Sequence, residues 1–303
     1  MRFGRKGIRL LDSIINLMVL ILFLAGTAVG VYALWDSRQL YHEAEAERYE
    51  QYKPTAGDDL TFTQLRQINP DVFGWLTVYG THIDYPLVQG EDNVTYVNTS
   101  VTGESLLSGS IFLDYRNRQD FSDFNSIIHG HHMERQIMFG DIGQFAQKTY
   151  FEEHQYGNLY VDGQDYGIEF FAFLHADAYD RTIYSPAITG EGRQDYLEYL
   201  LDAAMYTRQI SVGTSDHLVL LSTCASDATN GRHILAGKLG TAVEDPFRKE
   251  TSWEFGGRNL RGWLRRIPVW LWAILLLVLL LVIVKRKKDR KRKDASNEQK
   301  KEK

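Results

Sequence analysis

The chain has 303 residues, 44% of them hydrophobic and 24% charged, with one cysteine and a formal charge of −5. Such a composition excludes a disordered tail protein, a disulfide-stapled mini-domain and a collagen-like repeat. Charge is unevenly spread: Arg2, Arg5, Lys6 and Arg9 open the chain without an acid, and residues 285–303 hold eleven Lys or Arg against four acids. The stretch between is strongly acidic, a distribution suited to a membrane and not to nucleic acid.

In chain order, a basic N-terminus (1–13) precedes a predicted transmembrane anchor (14–34) whose residues 17–34, LMVLILFLAGTAVGVYAL, carry no charge. About 20 apolar residues span a bilayer core, and the run exceeds the roughly 7–15 of a signal-peptide h-region, so the expected anchor is uncleaved. Residues 35–57 (WDSRQLYHEAEAERYEQYK, then Pro54) read as a solvated helical stalk. TFTQLRQI has Phe62, Leu65 and Ile68 at helical spacing before an Asn-Pro-Asp turn.

From Val72 short apolar runs alternate with turn signals: VFGWLTV, YGTHIDYPLV, GSIFLDY, FNSIIHG, NLYVDG, IEFFAFLHADAY, HLVLLSTC and RHILAGKL. Many strands of that length predict a mainly β domain over 58–248, an antiparallel sandwich or barrel. MFGDIGQFAQKTYFEEH and RQDYLEYLLDAAMYTRQ read as helical interruptions. A linker (249–266) leads to a second charge-free run over 267–284, IPVWLWAILLLVLLLVIV, a predicted second span before the basic tail 285–303. Basic flanks stay on the cytoplasmic side, and Trp35, Trp263, Trp270 and Trp272 suit the outer interface. Both termini are therefore expected inside the cell, with residues 36–266 outside.

An outward-facing domain with one cysteine has no internal disulfide, which leaves Cys224 free in an oxidising compartment. By the period of two, Leu218, Leu220, Ser222 and Cys224 share one strand face while Thr223 faces the other way. The polar run ASDATNG reverses the chain, so Cys224 and Arg232 fall at the same end of neighbouring strands. A cation there stabilises a thiolate and can donate to an oxygen that gains charge. In SIIHGHHM, His129 and His131 share an extended face and His132 points away. Cysteine chemistry needs such an imidazole as acid and base. A His-Gly-His pair equally suits zinc with Cys224 as a further ligand, and spacing alone leaves that open.

LSTCAS followed by Arg232, with IIHGHHM upstream, resembles the sortase transpeptidases of Gram-positive bacteria. INPDVFGWLTVYGTHIDYPLVQGEDNVTY, GSIFLDYRN and MFGDIGQF resemble class B sortases in particular, over residues 58–243. The resemblance implies a closed barrel of about eight strands with peripheral helices, flanked here by N- and C-terminal transmembrane helices. It implies His131, Cys224 and Arg232 as the catalytic residues, with Ser222, Tyr184 and Asp114 as substrate-pocket candidates. Asp114 is also a candidate to orient His131. The implied reaction is cleavage of a sorting-signal pentapeptide after Thr through a thioester, without cofactor or metal. An amine of a lipid-linked peptidoglycan precursor, or a pilin lysine, then accepts the acyl group. His129 and His132 stand where the family often has Tyr and Asn, which makes them candidates to tune His131. The second span is unusual for class B, but no class C lid motif (Asp-Pro-aromatic) precedes the domain. No LPxTG-like or NPxTx-like pentapeptide precedes the C-terminal run, so the chain reads as the enzyme and not its cargo. The rival readings are a zinc-dependent ectoenzyme built on His129, His131 and Cys224, and a non-catalytic surface-binding protein on the same barrel.

Overall fold

The computed structural model describes residues 2–54, 60–186, 188–224 and 230–247, though not the side chains of 2–13, Leu40 and Cys224. The expected linker, second span and basic tail over 249–303 lie outside the described residues.

Helix α1 runs unbroken from Arg2 to Ala44, so the expected anchor and the first ten residues of the expected stalk (35–44) form one helix. Within Ile14–Ala44 it is long and apolar enough to cross a membrane, and none of its most apolar stretch is buried. Leu22 is 73% and Leu34 74% exposed, which rules out the core helix of a globular domain. Past Ala44 the chain tightens into 3₁₀ turns at Ala46–Arg48 and Glu50–Tyr52. Helix α2 (Leu60–Ile68) buries Phe62 and Leu65, two of the three residues picked out by the spacing, while Ile68 stays exposed.

Nine strands follow: β1 (Val72–Val78), β2 (Asp84–Val88), β3 (Ile111–Leu113), β4 (Asn125–His129), β5 (Tyr156–Val161), β6 (Gln164–Asp177), β7 (Ala204–Thr207), β8 (Leu218–Cys224) and β9 (Gly231–Thr241). They pair in the order β5-β1-β2-β3-β4-β8-β9-β6, and β5 pairs back onto β6. Eight strands therefore close into a barrel, and closure removes the open edges that an antiparallel sheet would expose. The β5–β6 hairpin turns through Asp162 and Gly163, both at positive φ (50° and 80°), the Asp-Gly pairing that a two-residue type I′ turn demands.

Three sequence expectations need correction. The barrel is mixed and not antiparallel, because β2–β3 and β4–β8 run parallel. Parallel neighbours need long crossovers, and here the long segments between β2 and β3 and between β4 and β8 provide them. The second helical patch is helix α4 (Gly192–Asp202) only as far as Asp202; Ala204–Thr207 is recruited by β6 as β7. The first patch is mostly a 3₁₀ stretch, Gly140–Ala146, and only Lys148–Glu153 is α-helix (α3), since Gly140 and Gly143 weaken a regular helix there.

Alternation splits β8 between two cores. Val219 and Leu221 enter the barrel interior with Leu76, Phe145, Phe170 and Phe173. Leu218 and Leu220 face outward into a second cluster capped by Tyr196, Leu197 and Leu200 of α4. Ser222, two residues further on, continues the outward face and sets the position of the site.

Candidate active site

The site lies at the end of β4, β8 and β9, with the far end of β6 alongside. In the parallel ladder His129 is level with Ser222, and the Gly130 N–H donates to the Ser222 carbonyl at 3.2 Å. Two residues further on each chain come His131 and Cys224. In the antiparallel ladder Cys224 is the direct partner of Arg232, which is level with Ala176 of β6 on its other side. The hairpin register expected from sequence is therefore present. The Cys224 side chain lies outside the described residues.

A Cβ on Gly130 would fall 2.7 Å from the Phe139 ring and 2.5 Å from Ile111 Cδ1. Only glycine lets the chain pass that close to β3 and deliver His131 into the cleft. The cleft has a volume of about 370 Å³, and His129, His131, Tyr184, Ser222, Arg232 and Asp114 all line it. His131 is half-buried, and its Nε2 lies 2.8 Å from the Val97 carbonyl. A carbonyl only accepts, so Nε2 carries a proton and Nδ1 is the nitrogen left for chemistry. Arg232 is half-buried and lines the cleft, with one guanidinium N–H on the Gly231 carbonyl at 3.0 Å.

Opposite stands a polar wall built on Asp114, which is 1% exposed. Its carboxylate accepts Arg116 Nε and Nη2, each at 2.8 Å, the Arg116 N–H at 3.0 Å and Asn93 Nδ2 at 2.8 Å. Burial alone would raise its pKa, but the Arg116 fork, the bond to His129 and the Arg116 and Asn93 donors outweigh it and hold the carboxyl well below the usual range. The expected partnership of Asp114 with His131 is not formed. His129 approaches Asp114 instead, at 3.4 Å, while His131 takes the Val97 carbonyl.

His129 lies between Phe112 and Tyr184, with centroids at 5.2 and 6.2 Å. The Tyr184 hydroxyl meets Ser222 Oγ at 2.7 Å, so the two pocket candidates are joined to each other. His132 turns to the other side of the strand, where a Cβ on Gly143 would lie 3.4 Å from its ring and 3.7 Å from His233. Neither neighbouring imidazole is aimed at His131. His129 and His131 also direct their Nε2 atoms to separate protein acceptors and not to a common point, which gives the zinc reading no geometric support. Thr223 faces inward and is buried, as the strand period requires.

Sequence reasoning missed Val97, Arg116 and Asn93. Arg116 had a signal, the Asp-x-Arg spacing in FLDYRN; a main-chain carbonyl such as that of Val97 has none.

No protein-family model matches the chain. Sortase B of Listeria monocytogenes is 35% identical over 181 residues, covering 58% of this chain and 73% of that protein. The solved sortase B from the type II pilus of Streptococcus pneumoniae is 48% identical with a TM-score of 0.53, over 60% of this chain and 99% of that one. Spy0129, a Streptococcus pyogenes class B sortase involved in pilus biogenesis, is 40% identical with a TM-score of 0.55, over 59% and 98%. A closed eight-stranded barrel, a Cys-Arg hairpin, a half-buried imidazole at the same strand ends and this level of identity lead to one conclusion: the chain belongs to the class B sortases, which are cysteine transpeptidases.

Proposed function

We propose that Cys224 is the nucleophile, His131 the acid and base, and Arg232 the cation that orients substrate, in a membrane-anchored sortase acting outside the cell. The observation that carries this reading is the register: one strand end pairs Cys224 with Arg232, and the adjoining parallel ladder brings up His131. The Cys224 thiolate attacks the carbonyl carbon after the Thr of a sorting pentapeptide, and Arg232 donates to the oxygen that becomes negative. The C–N bond breaks, His131 Nδ1 gives its proton to the departing amine, and a thioester remains. An incoming amine then loses a proton to Nδ1 as it attacks, and the thiolate leaves. Ser222 and Tyr184 line the pocket as a joined pair. Asp114 shapes it through Arg116 and His129.

For the acceptor, the two pilus-associated enzymes are 48% and 40% identical to this chain against 35% for the Listeria protein. That ordering favours a pilin lysine over a lipid-linked wall precursor. For the membrane, α1 is the anchor and 267–284 a second span, with 1–13 and 285–303 cytoplasmic and the barrel tethered at both ends of 58–248. Tethering raises the effective concentration of substrates held by their own hydrophobic tails.

The test is the purified full chain with quenched peptides of the form X-X-X-Thr-X and Nα-acetyl-lysine as amine. Native enzyme is expected to cleave a subset and to carry an acyl adduct on the Cys224 peptide by mass spectrometry. Cys224→Ala and His131→Ala are expected to be silent yet folded, while His129→Ala and His132→Ala keep measurable turnover. Turnover surviving in Cys224→Ala refutes the thiol mechanism, and equal losses at all three histidines favour a metal.

A further inference from the structure

The loop that follows His131 is strained and is held from outside the barrel. His132 bridges back to Met138, and the Phe139 N–H bonds the His131 carbonyl at 3.0 Å, so residues 132–138 form a closed excursion hung on the proposed acid-base. Among the described residues five non-glycine residues have positive φ, and three of them, Arg135 (62°), Gln136 (65°) and Met138 (53°), lie in this excursion. Side chains rarely adopt that backbone region, so such a cluster persists only where surrounding contacts enforce it.

Those contacts come largely from the foot of α1. The Arg135 guanidinium sits 4.4 Å from the centroid of the Tyr41 ring. The Tyr41 hydroxyl reaches Glu134 Oε2 at 3.4 Å. Three residues on, the buried Ala44 accepts the Tyr85 hydroxyl on its carbonyl at 3.0 Å, and the same hydroxyl accepts the Met138 N–H at 3.0 Å. The last turn of the apolar helix thus touches the excursion directly at Glu134–Arg135 and reaches Met138 through the Tyr85 hydroxyl. A cation over an aromatic face is an attractive, directional contact that lysine and phenylalanine partly reproduce and alanine does not.

We infer that Tyr41 and Arg135 are positioning residues for His131: the foot of the membrane helix holds the strained excursion so that the imidazole stays in the cleft. Turnover then depends on a contact made by the anchor helix outside the cleft. The inference rests on the reading of His131 as the acid-base. It places no demand on substrate binding, because Tyr41 and Arg135 lie outside the cleft.

The test uses the full chain in detergent with the best-cleaved X-X-X-Thr-X peptide, well below each variant's melting temperature. Tyr41→Ala is expected to lower kcat on the order of 10-fold, with KM within about twofold, since small misplacements of a reacting group are costly. Tyr41→Phe keeps the ring and recovers most of the rate; Arg135→Ala matches Tyr41→Ala, and Arg135→Lys is intermediate. The double variant Tyr41→Ala/Arg135→Ala is expected to be no slower than Tyr41→Ala, because both substitutions remove the cation–aromatic contact. Native kcat in Tyr41→Ala, a loss confined to KM, or multiplied losses in the double variant overturns the inference. His131→Ala in the same assay separates the two claims. A silent His131→Ala beside a native-rate Tyr41→Ala defeats the grip alone, whereas an active His131→Ala defeats the reading beneath it.

Discussion

Replacing Asp114 by Asn keeps the shape of the cleft wall and removes the charge that organises it. The carboxylate accepts two N–H groups from the Arg116 side chain, one from its backbone and one from Asn93, all within 3.0 Å. A hydrogen bond to a charged group contributes about 1.5–3 kcal/mol, but the Arg116 side chain is 42% exposed and water can replace part of its loss. The amide oxygen still accepts, while its NH2 faces donors. These terms combine to about 3 kcal/mol, which for a domain of this size is a fall in Tm of about 6–12 °C. The pH dependence follows from the sign of the shift. Asp114 titrates in the folded state well below its unfolded value of about 3.9, so its contribution is complete above that value and is lost as pH falls towards the folded one. Urea melts of both proteins are therefore expected to differ by a constant gap from pH 5 to 7, and the gap should narrow below about pH 4. Equal stability at pH 7, or a gap unchanged at pH 3, refutes the account of Asp114 as a buried, paired carboxylate.

Arg232→Lys is expected to lose on the order of 10²-fold in kcat with little change in KM, as measured by steady-state cleavage, because an ammonium cannot hold two oxygens in one plane. Gly130→Ala should fold poorly or lose turnover without loss of Cys224, since its methyl group meets Phe139 and Ile111; alkylation of the thiol alongside a cleavage assay separates the two effects. Deleting 267–303 is expected to leave cleavage of soluble peptide intact and to impair only surface attachment in cells. A cytoplasm-only reporter fused to Lys303 checks the orientation, and an intact but silent fusion overturns the two-span arrangement.

What could be read before the structure was what alternation and local turns specify. The β8–β9 hairpin was legible because LVLLSTC alternates and a polar run separates it from Arg232, so pairing Cys224 with Arg232 follows from counting. Asp162-Gly163 likewise announces its own turn. Strand direction was not legible: nothing local in NSIIH says that its partner 90 or so residues later runs parallel to it. Nor was β7, since AMYT extends a helical pattern and becomes a strand only because Ala172 and Phe173 of β6 offer it a ladder. The choice of acceptor for His131 was hidden for a similar reason. In sequence Asp114 is only a candidate partner and equally a turn residue; in the structure Arg116 two residues away claims the carboxylate and a main-chain carbonyl takes the imidazole.

The two halves of the site differ in how far apart they lie along the chain, and this has a consequence for folding order. Cys224 and Arg232 meet within one hairpin, a local closure of the kind that forms in about 1–10 μs. His131 arrives only when β4 finds β8, a pairing of distant segments that must bear the loop-closure entropy before any contact rewards it. The thiol and its cation are thus expected to be assembled early and the imidazole late. A chain still emerging across the membrane, or cut within the connection between β4 and β8, would hold a hairpin without its proposed proton carrier. Transpeptidation would then switch on only when the barrel closes, so that incomplete molecules stay chemically silent towards the surface proteins around them.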